Sequence, residues 1–194
     1  MQDLWYNVLL NADIEDLSAL CYLNNQFIKI CSHKQFWLDK FAHHKLPYLI
    51  YFSTISNMIQ DYKKILKAKT MALDITNDAL NAPHTIITIN DHQLENMVWL
   101  PKDMVDLISS IDYDQYENDL DMNSFLRFNI TTNPLSFNMT FELAKSDIIW
   151  DTDESVDFDI ISVNMTYDEF VLYLTKLFYY EPQADIDIDG MCCD

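Results

Sequence analysis

Leu-Arg-Phe-Asn-Ile-Thr-Thr-Asn-Pro-Leu-Ser-Phe-Asn-Met-Thr-Phe-Glu-Leu, residues 126–143, decides the fold class. Leu126, Phe128 and Ile130 alternate with Arg127, Asn129 and Thr131. After Asn133 and Pro134, the alternation resumes with Leu135, Phe137, Met139, Phe141 and Leu143 against Ser136, Asn138, Thr140 and Glu142. Successive strand residues point to opposite faces, so alternation writes one apolar face and one wet face. Two such runs around an Asn-Pro turn predict a β-hairpin.

Outward from the hairpin, Thr85–Asn90 is short and β-branched, as a strand requires, and Phe158–Val163 reads as a further strand. Pro101 opens a predicted helix with Met104, Val105, Leu107, Ile108 and Ile111 inward. Thr166 and Glu169 form a capping box for a last helix, whose apolar face is Phe170, Val171, Leu174, Leu177 and Phe178. The expected result is an antiparallel sheet with packed helices, an α+β fold.

Toward the amino terminus the period changes. Leu4, Trp5, Val8 and Leu9 share a helical stripe; Leu17, Leu20 and Cys21, then Phe27, Ile30 and Cys31, then Phe36, Trp37 and Phe41 repeat it. Asp13 is a candidate N-cap for the second helix. Helices this short must pack on one another or on a partner. Ile55, Met58, Ile59, Tyr62, Ile65, Leu66, Ala72 and Leu73 then follow one long helical face, with Ser53 or Thr54 to cap its start and Lys63, Lys64, Lys67 and Lys69 on other faces. It is expected to brace the two parts of the chain.

Residues 13–37, Asp-Ile-Glu-Asp-Leu-Ser-Ala-Leu-Cys-Tyr-Leu-Asn-Asn-Gln-Phe-Ile-Lys-Ile-Cys-Ser-His-Lys-Gln-Phe-Trp, resemble the F-box pattern. Asp16 and Leu17, Leu20 and Leu23, Asn24, Phe27, Ile30 and Trp37 stand at the motif's places. Leu4, Trp5, Val8 and Leu9 fall where its first helix is apolar. The Phe36-Trp37, Lys40-Phe41 and Leu46-Pro47 pairs resemble F-box-like proteins of large DNA viruses. Two places depart: Met1 stands where the family's opening proline belongs, and Ala12 where a larger aliphatic is usual. The resemblance implies a protein-interaction adaptor, not an enzyme. Leu4, Trp5, Val8, Leu9, Leu17, Leu20, Leu23, Phe27 and Trp37 would grip a Skp1-like ligase adaptor, and the remainder would recruit a target for ubiquitin transfer. The organisation expected is an F-box-like helical module over 1–48, a connecting helix over 49–82, an acidic α+β unit over 83–182 and an acidic tail over 183–194.

Charge separates the same halves. Residues 1–80 hold eight lysines against eight carboxylates, and residues 81–194 hold four basic against twenty-three acidic residues, which carry the whole formal −19. That second half repels phosphate backbones, so direct nucleic-acid binding is not expected. It suits a basic protein partner, which gives the alternative reading: a structural or interaction protein, viral by the same resemblance, without ligase docking. A single glycine, Gly190, excludes phosphate loops, dinucleotide fingerprints and nucleophile elbows. His33, His43, His44, His84 and His92 lack metal-ligand spacing with cysteine, so neither metal nor cofactor is expected.

Asp185-Ile186-Asp187-Ile188-Asp189-Gly190 copies the first half of a calcium loop without its closing glutamate and reads as a solvated tail. The acidic groups at Asp112–Asp121 and Asp151–Asp159 read as solvated loops. Cys21 and Cys31 read as small core side chains of a reduced, soluble, intracellular protein, in host cytoplasm or nucleus if viral. No signal peptide or membrane span is read in the sequence, so no membrane partner is expected, and the sequons at Asn129, Asn138 and Asn164 are read as chance matches. Oligomeric state is left open by the hairpin's free edge.

Overall fold

The hairpin is present in the computed structural model, which describes residues 2–82, 84–91, 102, 105–106, 122–145, 158–180 and 186–189. Strands β2 (Met122–Thr132) and β3 (Leu135–Lys145) pair antiparallel, with Thr132 opposite Leu135 across the Asn133–Pro134 turn. With β1 (His84–Asp91), β4 (Phe158–Met165) and β5 (Ile186–Asp189) they form a five-stranded antiparallel sheet, ordered β4-β3-β2-β1-β5. The helices whose ends lie among the described residues are α1 (Gln2–Asn11), α2 (Ile14–Leu23), α3 (Asn25–Cys31), α4 (Lys34–His43), α5 (Ile55–Leu80) and α6 (Tyr167–Tyr180). The α+β fold with leading helices is as the sequence predicts. Of the helix expected after Pro101, Lys102, Val105 and Asp106 are helical, and the other residues lie outside the described set, as do Asp112–Asp121 and Asp151–Asp157.

β5 corrects one expectation. Ile186-Asp187-Ile188-Asp189 is not a solvated tail but an edge strand, with Ile188 opposite Ile87 and Ile186 opposite Ile89. Reading the run for carboxylates alone hides its Ile-Asp alternation, which is the hairpin's own strand signal.

The chain divides into two units, Met1–Met71 and Ala72–Asp194. The division falls inside α5, ahead of the expected change of unit at residue 83. In the second unit, Ile87, Ile89, Leu126, Phe128, Ile130, Phe137, Met139 and Phe141 are buried on one face of the sheet. α6 packs there: Phe170 stacks on Phe137 at 5.2 Å and meets Phe128 edge-on at 5.3 Å. Burying each such ring contributes about 2–3 kcal/mol before the entropy cost of ordering it. The capping box forms as read. Thr166 N–H donates to Glu169 Oε2 at 2.7 Å, and Glu169 N–H donates to Thr166 Oγ1 at 3.3 Å. Those hydrogen bonds hold the Glu169 carboxyl below its ordinary value.

In the first unit, glycine is absent from every helix end, and side chains of neighbouring helices satisfy the carbonyls instead. Helix termini leave C=O groups without partners. Lys40 of α4, fully buried, donates through Nζ to the carbonyls of Leu9, Leu10 and Ala12 at 3.2, 2.7 and 2.6 Å, closing the end of α1. Trp37 Nε1–H donates to the Cys31 carbonyl at 2.7 Å and closes α3. Lys69 of α5 donates to the carbonyls of His44 and Lys45 beyond α4. There Lys45 takes the left-handed conformation, φ 51°, where glycine is usual. Leu46 N–H then reaches Phe41 O at 2.9 Å, and Lys45 N–H reaches Ala42 O at 3.0 Å.

The starts of the helices depart from expectation in one place. Asp13 occupies the N-cap position of α2 but makes no side-chain cap bond. Asn24 does cap α3, its Oδ1 accepting from Gln26 and Phe27 N–H at 2.9 Å each. Thr54 caps α5 as expected, accepting from Asn57 N–H.

Candidate protein-docking face

The stripe read in α1 is split by the fold. Leu4, at 60% exposure, and Trp5 and Val8 face outward, while Leu9 is buried. Of the other residues expected to grip a partner, Leu23 is 67% exposed and Leu20 is half-buried; Leu17, Phe27 and Trp37 are buried. That corrects the expectation for Leu9, Leu17, Phe27 and Trp37. They hold the bundle together, because short helices can be ordered only by enclosing their largest apolar side chains among themselves. Leu4, Trp5, Val8 and Leu23 are what such a bundle leaves on its surface, and Tyr22, which the sequence reading did not single out, is exposed beside Leu23.

The core under this face is specific. Phe27 supports Trp5 from below, ring edge to ring face at 5.4 Å, so the indole is fixed on one side and open on the other. A rigid aromatic ring of that kind is the usual anchor of a protein interface. α1 is held against α4 by the Tyr6 hydroxyl, which donates to Asp39 Oδ2, and by Tyr6 packing edge-on against Phe36. Burial, and then the bond to Asp39, push the Tyr6 phenol above its ordinary value. Burial pulls the Lys40 ammonium down to about 8, with Asp13 opposing.

Cys21 and Cys31 are joined in a disulfide, their Cα atoms 5.8 Å apart. This corrects the reading of two independent thiols in a reduced chain. α3 turns back beside α2 at Asn24, which brings the two positions into bridging range. A ten-residue spacing in sequence gives no sign of that turn.

Leu46 and Pro47 are expected only as part of the family resemblance and residues 49–54 as part of the connecting helix, but α5 begins at Ile55. Between Lys45 and Ser53 the chain runs Leu-Pro-Tyr-Leu-Ile-Tyr-Phe without helical period, and Tyr51 and Phe52 are exposed. Tyr48 packs edge-on against Phe41 at 5.3 Å, and Phe41 against Tyr62 at 5.1 Å. Burial lowers His44 and raises Tyr48; Lys40, His43 and Lys69 lower His44 further.

On the polar side of the sheet, the three sequon asparagines fall in one row: Asn129 opposite Asn138, and Asn138 opposite Asn164. Asn138 Nδ2 donates to Asn164 Oδ1 at 3.1 Å, and Thr140 and Ser162 hydroxyls donate to Asn138 Oδ1 at 2.9 and 2.8 Å. Asn138 is thus tied across the strand pair to Asn164 and Ser162 of β4. Among the described residues, no group of three or more His, Cys, Asp or Glu could hold a metal ion, and no helix is long and apolar enough to cross a membrane.

No protein-family model matches the chain, and neither a curated protein nor a solved structure matches it. The fold and the exposed side chains define an α+β chain of two units, whose helical unit leaves Leu4, Trp5, Val8 and Leu23 on its surface.

Proposed function

We propose that the chain is a non-enzymatic, F-box-like adaptor that docks a Skp1-like ligase adaptor through Leu4, Trp5, Val8 and Leu23. The observation that carries this reading is the division of the motif residues. Leu9, Leu17, Phe27 and Trp37 build the bundle, Leu20 is half-buried, and Leu4, Trp5, Val8 and Leu23 stand outside it. Leu4, Trp5, Val8 and Leu23 each leave a large apolar side chain in water that a partner would cover. The acidic second unit would recruit the target, and its charge suits a basic protein.

A pull-down with purified Skp1 tests the reading. The wild-type chain is expected to retain Skp1; Leu4→Asp and Leu23→Asp, which alter exposed side chains and leave the helical circular dichroism unchanged, are expected to lose it. Failure of the wild type to retain Skp1 while it retains a basic protein would replace ligase docking with the simpler interaction role. The absence of the family's opening proline motivates that second reading, since Met1 stands in its place.

A further inference from the structure

The covalent loop closed by Cys21 and Cys31 contains part of the docking face. Tyr22 and Leu23, both exposed, lie within it, and so does Phe27, which supports Trp5. α3, which forms most of the loop, has seven residues. A helix of that length has no stability of its own and depends on what it is tied to. Its ties are the Asn24 cap, the Trp37 bond to the Cys31 carbonyl, the packing of Phe27 and the disulfide.

We propose that Cys21 and Cys31 are a site of reversible thiol oxidation that sets the order of the docking face. This rests on the docking reading above for its consequence, though not for its chemistry. In the disulfide state α2 and α3 are held together, so Tyr22, Leu23 and the Phe27 support under Trp5 keep one arrangement. In the dithiol state α3 loses its cross-link to α2 and keeps only the backbone link through Asn24, and the face loosens. A crosslink acts by removing alternative conformations of the segment it closes, and a preordered face binds with less entropy cost.

The interconversion balances with a dithiol reductant. Its thiolate attacks one protein sulfur, the Cys21–Cys31 bond breaks, and the other cysteine leaves as a thiolate that takes a proton. The reductant's second thiol then resolves the mixed disulfide, releasing the second cysteine and ending as a disulfide itself; two electrons and two protons have passed to the protein. Both cysteines are fully buried, so the reductant must wait for α2 and α3 to part. A partner seated over Tyr22 and Leu23 would therefore slow reduction, the reciprocal of oxidation favouring binding.

The experiment uses the full chain carrying Cys192→Ser and Cys193→Ser, so that only this pair responds, after air oxidation or dithiothreitol. The oxidised protein is expected to be lighter by two hydrogens and inert to maleimide. On reduction, amide exchange over residues 22–31 is expected to rise by at least about tenfold while β2 and β3 stay unchanged. Skp1 binding is expected to weaken about fivefold or more. Two free thiols after oxidation, or identical exchange in both states, would overturn the proposal. Equal Skp1 binding by the two states would overturn it as a control on docking. Exchange that responds while neither state binds Skp1 would remove the docking reading and support the latch.

Discussion

At the scale of single residues, Lys40 is the side chain on which the helical unit turns. It is buried, yet its ammonium has three carbonyl acceptors at the ends of α1 and the turn after it. A cation at a helix C-terminus is stabilised by the carbonyls and the dipole together. Lys40→Met keeps the bulk and removes the donors. It is expected to cost about 2–4 kcal/mol in urea unfolding, because buried acceptors are left unpaired. A stabilised variant would mean that burying the charge outweighs the bonds. Tyr62 gives a pH prediction. Burial, and then Asp13, push its phenol up to about 12. A group whose folded value is raised contributes fully below its unfolded value and loses that contribution as pH climbs through the folded one. Stability is therefore expected to fall between about pH 10, the unfolded tyrosine value, and pH 12. Tyr62→Phe, which keeps the ring against Phe41, is expected to flatten that fall in melts taken across the window.

At the scale of elements, the end of α4 makes a direct test of how a nearly glycine-free chain closes its helices. Lys45 sits where glycine belongs, at φ 51°. A side chain in that region costs about 1–2 kcal/mol, part of which glycine returns through its freer unfolded state. Lys45→Gly is expected to raise stability by about 0.5–1 kcal/mol in a denaturant titration; a loss would show that the Lys45 side chain makes interactions worth more than its strain. Strands and the capping box were legible in the sequence because each is local. The alternation of Phe137 and Met139 with Asn138 and Thr140, and the Thr166–Glu169 spacing, need no knowledge of distant partners. What was not legible is tertiary. Nothing near Lys40 in sequence shows that it reaches back to Leu9 and Leu10, nor that Cys21 faces Cys31. The helical stripes identified which residues are apolar. They could not divide Leu4 from Leu9 between surface and core, because that depends on where α4 lies. Ile186–Asp189 shows the converse fault, in which a familiar ligand pattern masked an ordinary strand.

At the scale of the whole molecule, the chain combines a helical unit of balanced charge with a sheet unit that carries nearly all the acidity. Local electrostatics differ so much between them that a single partner is not required to satisfy both. The helical unit offers a supported apolar surface and a balanced charge, suited to tight contact with little dependence on salt. The acidic unit offers a field, suited to fast, salt-sensitive capture of a basic surface. An adaptor needs both kinds of contact, one toward its scaffold and one toward its target. The measurement that bears most directly on this is a calorimetric titration of purified Skp1 into the oxidised chain. The account predicts saturable binding, micromolar or tighter, little changed by added salt and weakened at least about tenfold by Leu4→Asp or Leu23→Asp. No heat of binding at high concentration, or binding that those two substitutions leave intact, would contradict it.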